Sequence, residues 1–208
     1  MTDPEQARQQ LVDGLRGERV DDETVLAAMG SVPRHRFVPK RVCEDAYADR
    51  PLPIGSGQTI SAPHMVAIMA DLLDLRDGDR VLEIGTGCGY HAAVTAELVG
   101  SDTVYTVEYH DELAERARET LAATGYGGVS VRAGDGKQGW AEHALFDRAY
   151  LACAASELPR TVVEQVRPGG LIVAPVGNDS QRLVRARRTA DGSLDRETHG
   201  RVRFVPLQ

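Results

Sequence analysis

Gly85, Gly87 and Gly89 alternate within Arg80-Val-Leu-Glu-Ile-Gly-Thr-Gly-Cys-Gly-Tyr90, and a carboxylate, Glu108, follows about twenty residues later. Glycines in such a turn let the backbone bend sharply and approach a ligand with no Cβ in the way. In a doubly wound sheet, the first strand-to-helix turn is where a nucleotide-like cofactor sits. A carboxylate ending the second strand is placed to accept both ribose hydroxyls. The spacing also discriminates between cofactors. A dinucleotide fingerprint places its third glycine three residues after the second, and Tyr90 stands there instead. Gly-x-Gly-x-Gly with a distal acid points to S-adenosylmethionine. A glycine triplet alone is as often an ordinary turn; the paired acid lifts it above that.

Ser61 is the second residue with chemical potential. It ends Pro51-Leu-Pro-Ile-Gly-Ser-Gly-Gln-Thr-Ile-Ser61, which reads as an extended loop with little regular structure. Ala62-Pro63 and the helically spaced Met65, Val66, Met69, Leu72 and Leu73 follow. Ser61 is therefore expected as an N-cap, with the proline in the first turn. Helix N-termini also favour anions through their free N–H groups and dipole, so one serine can cap and bind. A further tight turn, Gly134-Asp135-Gly136, closes another strand.

The elements that must position these residues alternate. Helices are expected at residues 4–16, after a cap at Asp21 or Asp22, and briefly around residues 41–48. The motif region gives a strand at 81–85 and a helix from residue 91. A strand over 103–108 and a helix over 110–123 follow, the helix with an exposed Glu112–Arg116 pair. Strands at 129–133 and 148–153, a helix at 157–166 and an apolar strand at 171–176 come next. Strands at 181–189 and 202–207 are read as joined through Ala190-Asp-Gly-Ser193. Alternation of this type implies an α/β, doubly wound, mostly parallel Rossmann-like sheet with helices on both faces. The last two strands break the rhythm, so an antiparallel strand is expected near one edge.

Composition bounds the reading. With 208 residues, 42% of them hydrophobic, one domain with a substantial core is expected. Residues 1–60 would form a helical and loop segment on the substrate side, and residues 61–208 the cofactor-binding core. No apolar run approaches the roughly 20 residues that span a bilayer, and the polar N-terminus shows no signal-peptide pattern. Net charge of −7 disfavours nucleic-acid binding. Cys43, Cys88 and Cys153 lack metal-type spacing. A cytoplasmic monomer with reduced thiols and no metal is expected.

Several stretches together resemble the protein-L-isoaspartate O-methyltransferases. They are Val32-Pro-Arg-His-Arg-Phe-Val-Pro39, Ala46-Tyr-Ala-Asp-Arg-Pro-Leu-Pro-Ile-Gly55, Gly57-Gln-Thr-Ile-Ser-Ala-Pro-His-Met65, Leu82 to Tyr90, Gly134-Asp-Gly136, Val166-Arg-Pro-Gly-Gly170 and Val202-Arg-Phe-Val-Pro-Leu207. The glycine motif is shared by many methyltransferases, whereas Gly-Gln-Thr-Ile-Ser followed by Pro-His is specific to this family. The resemblance implies methyl transfer from S-adenosylmethionine, leaving S-adenosylhomocysteine, to the free carboxylate of L-isoaspartyl residues in damaged proteins and peptides. It implies Ser61 as the active-site residue. Gln58, Thr59, Ile60 and His64 would line the cofactor, as would Glu83 and Thr86, with Gly85 and Gly87 against its methionine part. Glu108 would hold the ribose, and Asp135 with Gly136 would flank the adenine. Outside the resemblance, His64 reads as a surface helix residue and Asp135 as a plain turn aspartate.

Ala152, Ser156 and Ser56 depart from the residues usual in the family. Two other readings compete: a relative that methylates aspartate in a dedicated peptide, and a cofactor-binding protein without catalysis. A hydrolase is disfavoured, because no Ser-His-Asp set with predictable geometry is visible.

Overall fold

The computed structural model describes residues 3–208. Asp3 accepts the Glu5 N–H and caps α1 (Pro4–Leu15), whose Leu11, Val12 and Leu15 face inward. Asp22 accepts the Thr24 and Val25 N–H groups and caps α2 (Glu23–Ser31), the second of the two acids considered. Pro33 and Pro39 then stop helix propagation, leaving two short 3₁₀ turns, Arg34–Arg36 and Lys40–Asp45.

The stretch expected to lack regular structure is a β-hairpin. Strands β1 (Leu52–Gly55) and β2 (Gln58–Ile60) pair antiparallel around Ser56-Gly57. Both turn residues have positive φ, 50° and 71°, which a tight two-residue hairpin requires. Ser56 is therefore an exposed turn residue.

Helix α3 (Pro63–Leu73) begins one residue later than expected. Its N-cap is Ala62, with no side-chain cap, so Ser61 does not cap it. Ser61 lies one residue too far upstream to reach the first free N–H groups, which keeps its hydroxyl available.

The large sheet comprises β3 (Val81–Ile84), β4 (Val104–Glu108), β5 (Ser130–Ala133), β6 (Phe146–Leu151), β7 (Val166–Val176), β8 (Gln181–Arg188) and β9 (Leu194–Val202). Their order is β5-β4-β3-β6-β7-β8-β9, parallel through β7 and antiparallel beyond. Only β8 runs against the direction of β3–β7, which is the antiparallel strand expected near one edge; β9, antiparallel to β8, points the same way as the parallel block. The hairpin turn at 190–193 leads straight into β9, and residues 203–208 are not the final strand expected at 202–207. They run back over the sheet, where Ala154 donates to the Val205 carbonyl and Leu207 donates to that of Ala154, both at 2.8 Å.

Helices α4 (Tyr90–Val99) and α5 (Asp111–Ala123) join α1, α2 and α3 on one face, above Val81, Val104, Tyr150 and Val173. The other face, Leu82, Ile84, Val107 and Ile172, is covered by α6 (Arg160–Glu164), short turns and the C-terminal tail. The helix expected over 157–166 shrinks because Pro159 sits immediately before its first turn and β7 already begins at Val166. On α5, Arg116 makes no pair with Glu112 among the described residues. It reaches across to donate to the Ile54 carbonyl of β1 at 2.5 Å. A buried hairpin carbonyl holds it better than a solvated i,i+4 partner.

Candidate active site

Strand order reverses between the parallel neighbours β3 and β6: from β3 the chain winds outward through β4 and β5, then returns to β6 on the other side. Open α/β sheets place their ligands in the crevice at such a reversal, outside the carboxyl ends of the strands. Gly85 donates to the Val107 carbonyl and Ala152 to that of Ile84, each at 2.8 Å. These bonds hold the strand ends level. Three adjoining cavities open there, sharing Thr59 and Ala152.

The inner part is built on the glycine turn. Gly85 and Gly87 have φ of 96° and 56°, and a Cβ on Gly87 would come within 3.2 Å of Ile54 Cδ1. At Gly136 a Cβ would meet Ile84 Cγ2 at 2.4 Å. Glycine is thus required for backbone conformation at the first and for space at the last. Glu108, at the end of β4, accepts the Gly87 N–H at 2.8 Å and the His110 N–H at 3.0 Å. Around it stand Gln58, Thr59, Gly136 and the tail residues Val205–Gln208.

Below the turn lies a buried polar set. Thr106 Oγ1 donates to Glu83 Oε2 at 2.6 Å and meets Thr86 Oγ1 at 2.6 Å. Glu83 Oε1 has no partner among the described residues. Burial pushes the Glu83 carboxyl up to about 8, so it holds its proton at neutral pH. Behind it, His91 packs its ring 4.2 Å from that of Tyr150. Neither His91 nitrogen has a partner among the described residues, and burial pushes the imidazole down to about 3. It is neutral at physiological pH. The Cys153 thiol is pushed up to about 12 by burial, which removes it as a thiolate nucleophile.

The outer part carries Ser61, half-buried, with His64, Met65 and the side chains of Arg201, Arg203 and Phe204. His64 Nδ1 lies 2.8 Å from Asp49 Oδ1, which also accepts the His64 N–H at 2.9 Å. This pair looks like two members of a hydrolytic triad. No hydrogen bond joins Ser61 to His64 among the described residues, so the proton path such a triad needs is not formed.

The sequence-expected residues therefore fall into three groups. Gln58, Thr59, Gly85, Gly87, Glu108 and Gly136 converge on the inner cavity. Thr59, Ile60, Ser61, Glu83, Thr86, Gly85 and Gly87 line the space between the glycine turn and the serine. His64 lies on the outer side with Ser61. The Asp135 side chain turns back onto the Lys137 N–H at 2.9 Å and is exposed, lining none of these cavities. Of the departures from the family pattern, Ala152 lines all three cavities, whereas Ser156 is exposed outside them. Sequence reasoning missed Tyr109, His110 and the tail 205–208 at the inner cavity. It also missed Arg34, wholly buried and bonded to the Ser61 carbonyl. The tail's Val-Pro-Leu was visible as a motif, but its placement depends on a return across β6.

The unpartnered Oε1 of Glu83, the free space above Gly85 and Gly87 and the acid at the end of β4 fit a cofactor with a polar amino-acid end and a ribose. No cluster of metal-ligating side chains occurs among the described residues.

Comparison with known proteins agrees. A model of the family "Protein-L-isoaspartate(D-aspartate) O-methyltransferase (PCMT)" matches residues 6–208. Protein-L-isoaspartate O-methyltransferase 2 of Archaeoglobus fulgidus is 51% identical over 99% of this chain and 94% of its own length. The protein-L-isoaspartate O-methyltransferase of Methanosarcina mazei is 50% identical over 98% of this chain and 84% of its own. A Plasmodium falciparum structure described as a protein-L-isoaspartate O-methyltransferase in complex with S-adenosyl-L-homocysteine superposes with a TM-score of 0.84. It is 25% identical and the match covers 97% of this chain and 98% of that one. The chain belongs to the protein-L-isoaspartate(D-aspartate) O-methyltransferase family.

Proposed function

We infer that this chain is an S-adenosylmethionine-dependent protein carboxyl O-methyltransferase that methylates the free carboxylate of L-isoaspartyl residues in damaged proteins and peptides. The observation that carries the reading is the adjacency of two unlike compartments. A glycine-lined cavity with a ribose-type acid shares Thr59 and Ala152 with an outer pocket containing Ser61. When bound, S-adenosylmethionine supplies a methyl group activated by its sulfonium.

The chain's own residues then have four tasks. Glu108 is positioned to accept ribose hydroxyls, and Gly136 gives the adenine room; Asp135 shapes that turn from outside through its bond to Lys137. Gly85, Thr86, Gly87 and Glu83 bound the methionine end, while Gln58, Thr59 and Ile60 close it from the hairpin. Ser61 donates a hydrogen bond that orients the acceptor carboxylate, with His64 held beside it by Asp49. A carboxylate has an ordinary pKa near 4 and is already ionised, so no general base is needed. The rate advantage lies in alignment, which is worth roughly 7–11 kcal/mol at best. The methyl ester is then attacked by the following backbone nitrogen of the substrate, which gives up its proton as the acyl–oxygen bond breaks and methanol leaves. The resulting succinimide opens partly to normal aspartate without an enzyme group.

We read residues 1–60 as the substrate-side segment and 61–208 as the cofactor core of one domain. The chain would act as a cytoplasmic monomer, with no metal, nucleic-acid or membrane partner. Its net charge of −7 supports the nucleic-acid part. No helix among the described residues is long and apolar enough to cross a membrane.

Transfer of labelled methyl groups to paired peptides differing only in Asp or isoAsp tests the reading. Only the isoAsp peptide should be labelled; equal labelling would overturn the assignment. Ser61→Ala should lower turnover by about 10²-fold or more while calorimetric S-adenosylhomocysteine affinity stays near wild type. An unchanged rate would remove Ser61 from the mechanism.

A further inference from the structure

Arg34 is a long charged side chain with 0% exposure. Its Nε donates to the Ala46 carbonyl and its Nη2 to the Ser61 carbonyl, both at 2.8 Å. Its guanidinium carbon stands 4.8 Å from the centroid of the Tyr90 ring, at the start of α4. One residue thus ties the segment before the hairpin, the acceptor-side serine and the helix that follows the glycine turn.

These contacts leave the charge uncompensated. Arg34 Nη1 has no partner, and no ion pair forms at Arg34 among the described residues. Asp49, whose charge reaches it, is engaged by His64. Burial lowers the Arg34 pKa, but guanidinium stays protonated in proteins. A buried cation without a counter-ion is unfavourable. Neutral donors would supply the two carbonyl bonds without that penalty. The charge itself therefore has a use, and the open pocket beyond Ser61 is where an anion can approach it.

We propose that Arg34 is a positioning residue for the acceptor: it fixes the Ser61 main chain and holds a permanent positive charge behind it, whose counter-ion is the carboxylate of the bound isoaspartyl peptide. This rests on the reading that Ser61 faces that carboxylate. Arg34 lines none of the three cavities, so it acts through Ser61 and through space. The exposed Arg201 and Arg203 of the outer pocket are the competing source of attraction. They differ in one measurable respect: charges in water are screened by salt, and buried ones much less so.

The test is calorimetric binding of two peptides to the enzyme loaded with S-adenosylhomocysteine. One peptide carries isoAsp, and in the other that carboxylate is an amide. Wild type should prefer the carboxylate by about tenfold or more, and the preference should survive 1 M KCl. Arg34→Gln should abolish the preference with S-adenosylhomocysteine affinity unchanged. Arg34→Lys, which keeps the charge and loses the planar fork, should retain most of it. The proposal is overturned if high salt removes the wild-type preference, if Arg34→Gln keeps it, or if both variants lose it alike. Should Arg34→Gln not fold, the wild-type salt series and Arg34→Lys decide the matter. Failure of the underlying activity would appear separately, as wild-type enzyme that does not label the isoAsp peptide at all.

Discussion

The two halves of the cleft are held by different means. On the inner side, the glycine turn hangs from β3 and its acid from β4, and the bonds that join them run between these two neighbouring parallel strands and their turns. Gly85 bonds to Val107, Gly87 to Glu108, and Thr106 to Glu83. On the outer side, Ser61 follows a two-stranded hairpin outside the large sheet. Side chains from other segments pin that region: Arg34 at Ser61, Arg116 at Ile54 and Asp49 at His64. A ladder is cooperative and resists loss of one bond. A set of single clamps can be released one at a time, so the outer side is where substrate handling can change without disturbing cofactor binding.

The largest effect should come from the inner side, where backbone conformation leaves no alternative residue. Gly85→Val puts a β-branched residue at φ 96°, at a strain of about 1–3 kcal/mol before any contact with the ligand. S-adenosylhomocysteine affinity should fall about 100-fold or more by calorimetry. A smaller loss would mean that the turn adapts and the inner side is less rigid than its ladder implies.

Next comes the buried carboxyl. Glu83 has a folded value of about 8 against an ordinary 4.5. Between those values the native state keeps a proton that the unfolded chain has lost, so stability falls as pH rises through the window, by at most about 1.4 kcal/mol per unit. His91 acts oppositely: its value of about 3 against 6.5 makes stability fall as pH drops below 6.5. Above 6.5 only the Glu83 slope of these two remains. Urea melts at pH 6.5 and 8 should show Glu83→Gln flattening this decline, and a slope equal to wild type would show that Glu83 is not the group concerned.

The smallest effect tests a clamp on the outer side. Arg116→Leu removes the bond to Ile54 and should cost about 1 kcal/mol of stability. The KM for an isoaspartyl peptide should rise a few-fold, with S-adenosylhomocysteine affinity unchanged. Equal losses in both ligands would show that hairpin and glycine turn are one mechanical unit, which would erase the contrast.

Legibility in the sequence follows the same division. The Gly85 to Gly89 turn, Glu108 and the parallel core strands were readable because each depends on residues close in sequence: an apolar run, positive-φ glycines, an acid at a strand end. The hairpin reads as irregular in the sequence, although Ser56-Gly57 is a plausible tight-turn dipeptide, because Pro51 and Pro53 mask its short strands. Ser61 reads as a cap, but helix entry shifts by one residue. Arg116 reads as a partner of Glu112 because i,i+4 spacing is visible and a carbonyl on another element is not. The apolar run that reads as the last strand lies too late in the chain, since the tail's Val205 and Leu207 serve a return over the sheet rather than another ladder.

By itself, then, the sequence determined the cofactor turn and the family motifs, since local backbone preference and alternating apolar runs suffice for both. Only the tertiary structure decided that Ser61 is free rather than capping and that Val205–Gln208 closes the inner cavity. It alone brought the buried cation of Arg34, 27 residues away in the chain, against the Ser61 carbonyl. Those outcomes depend on which distant carbonyls remain unpaired once the core has closed, and no local pattern encodes that.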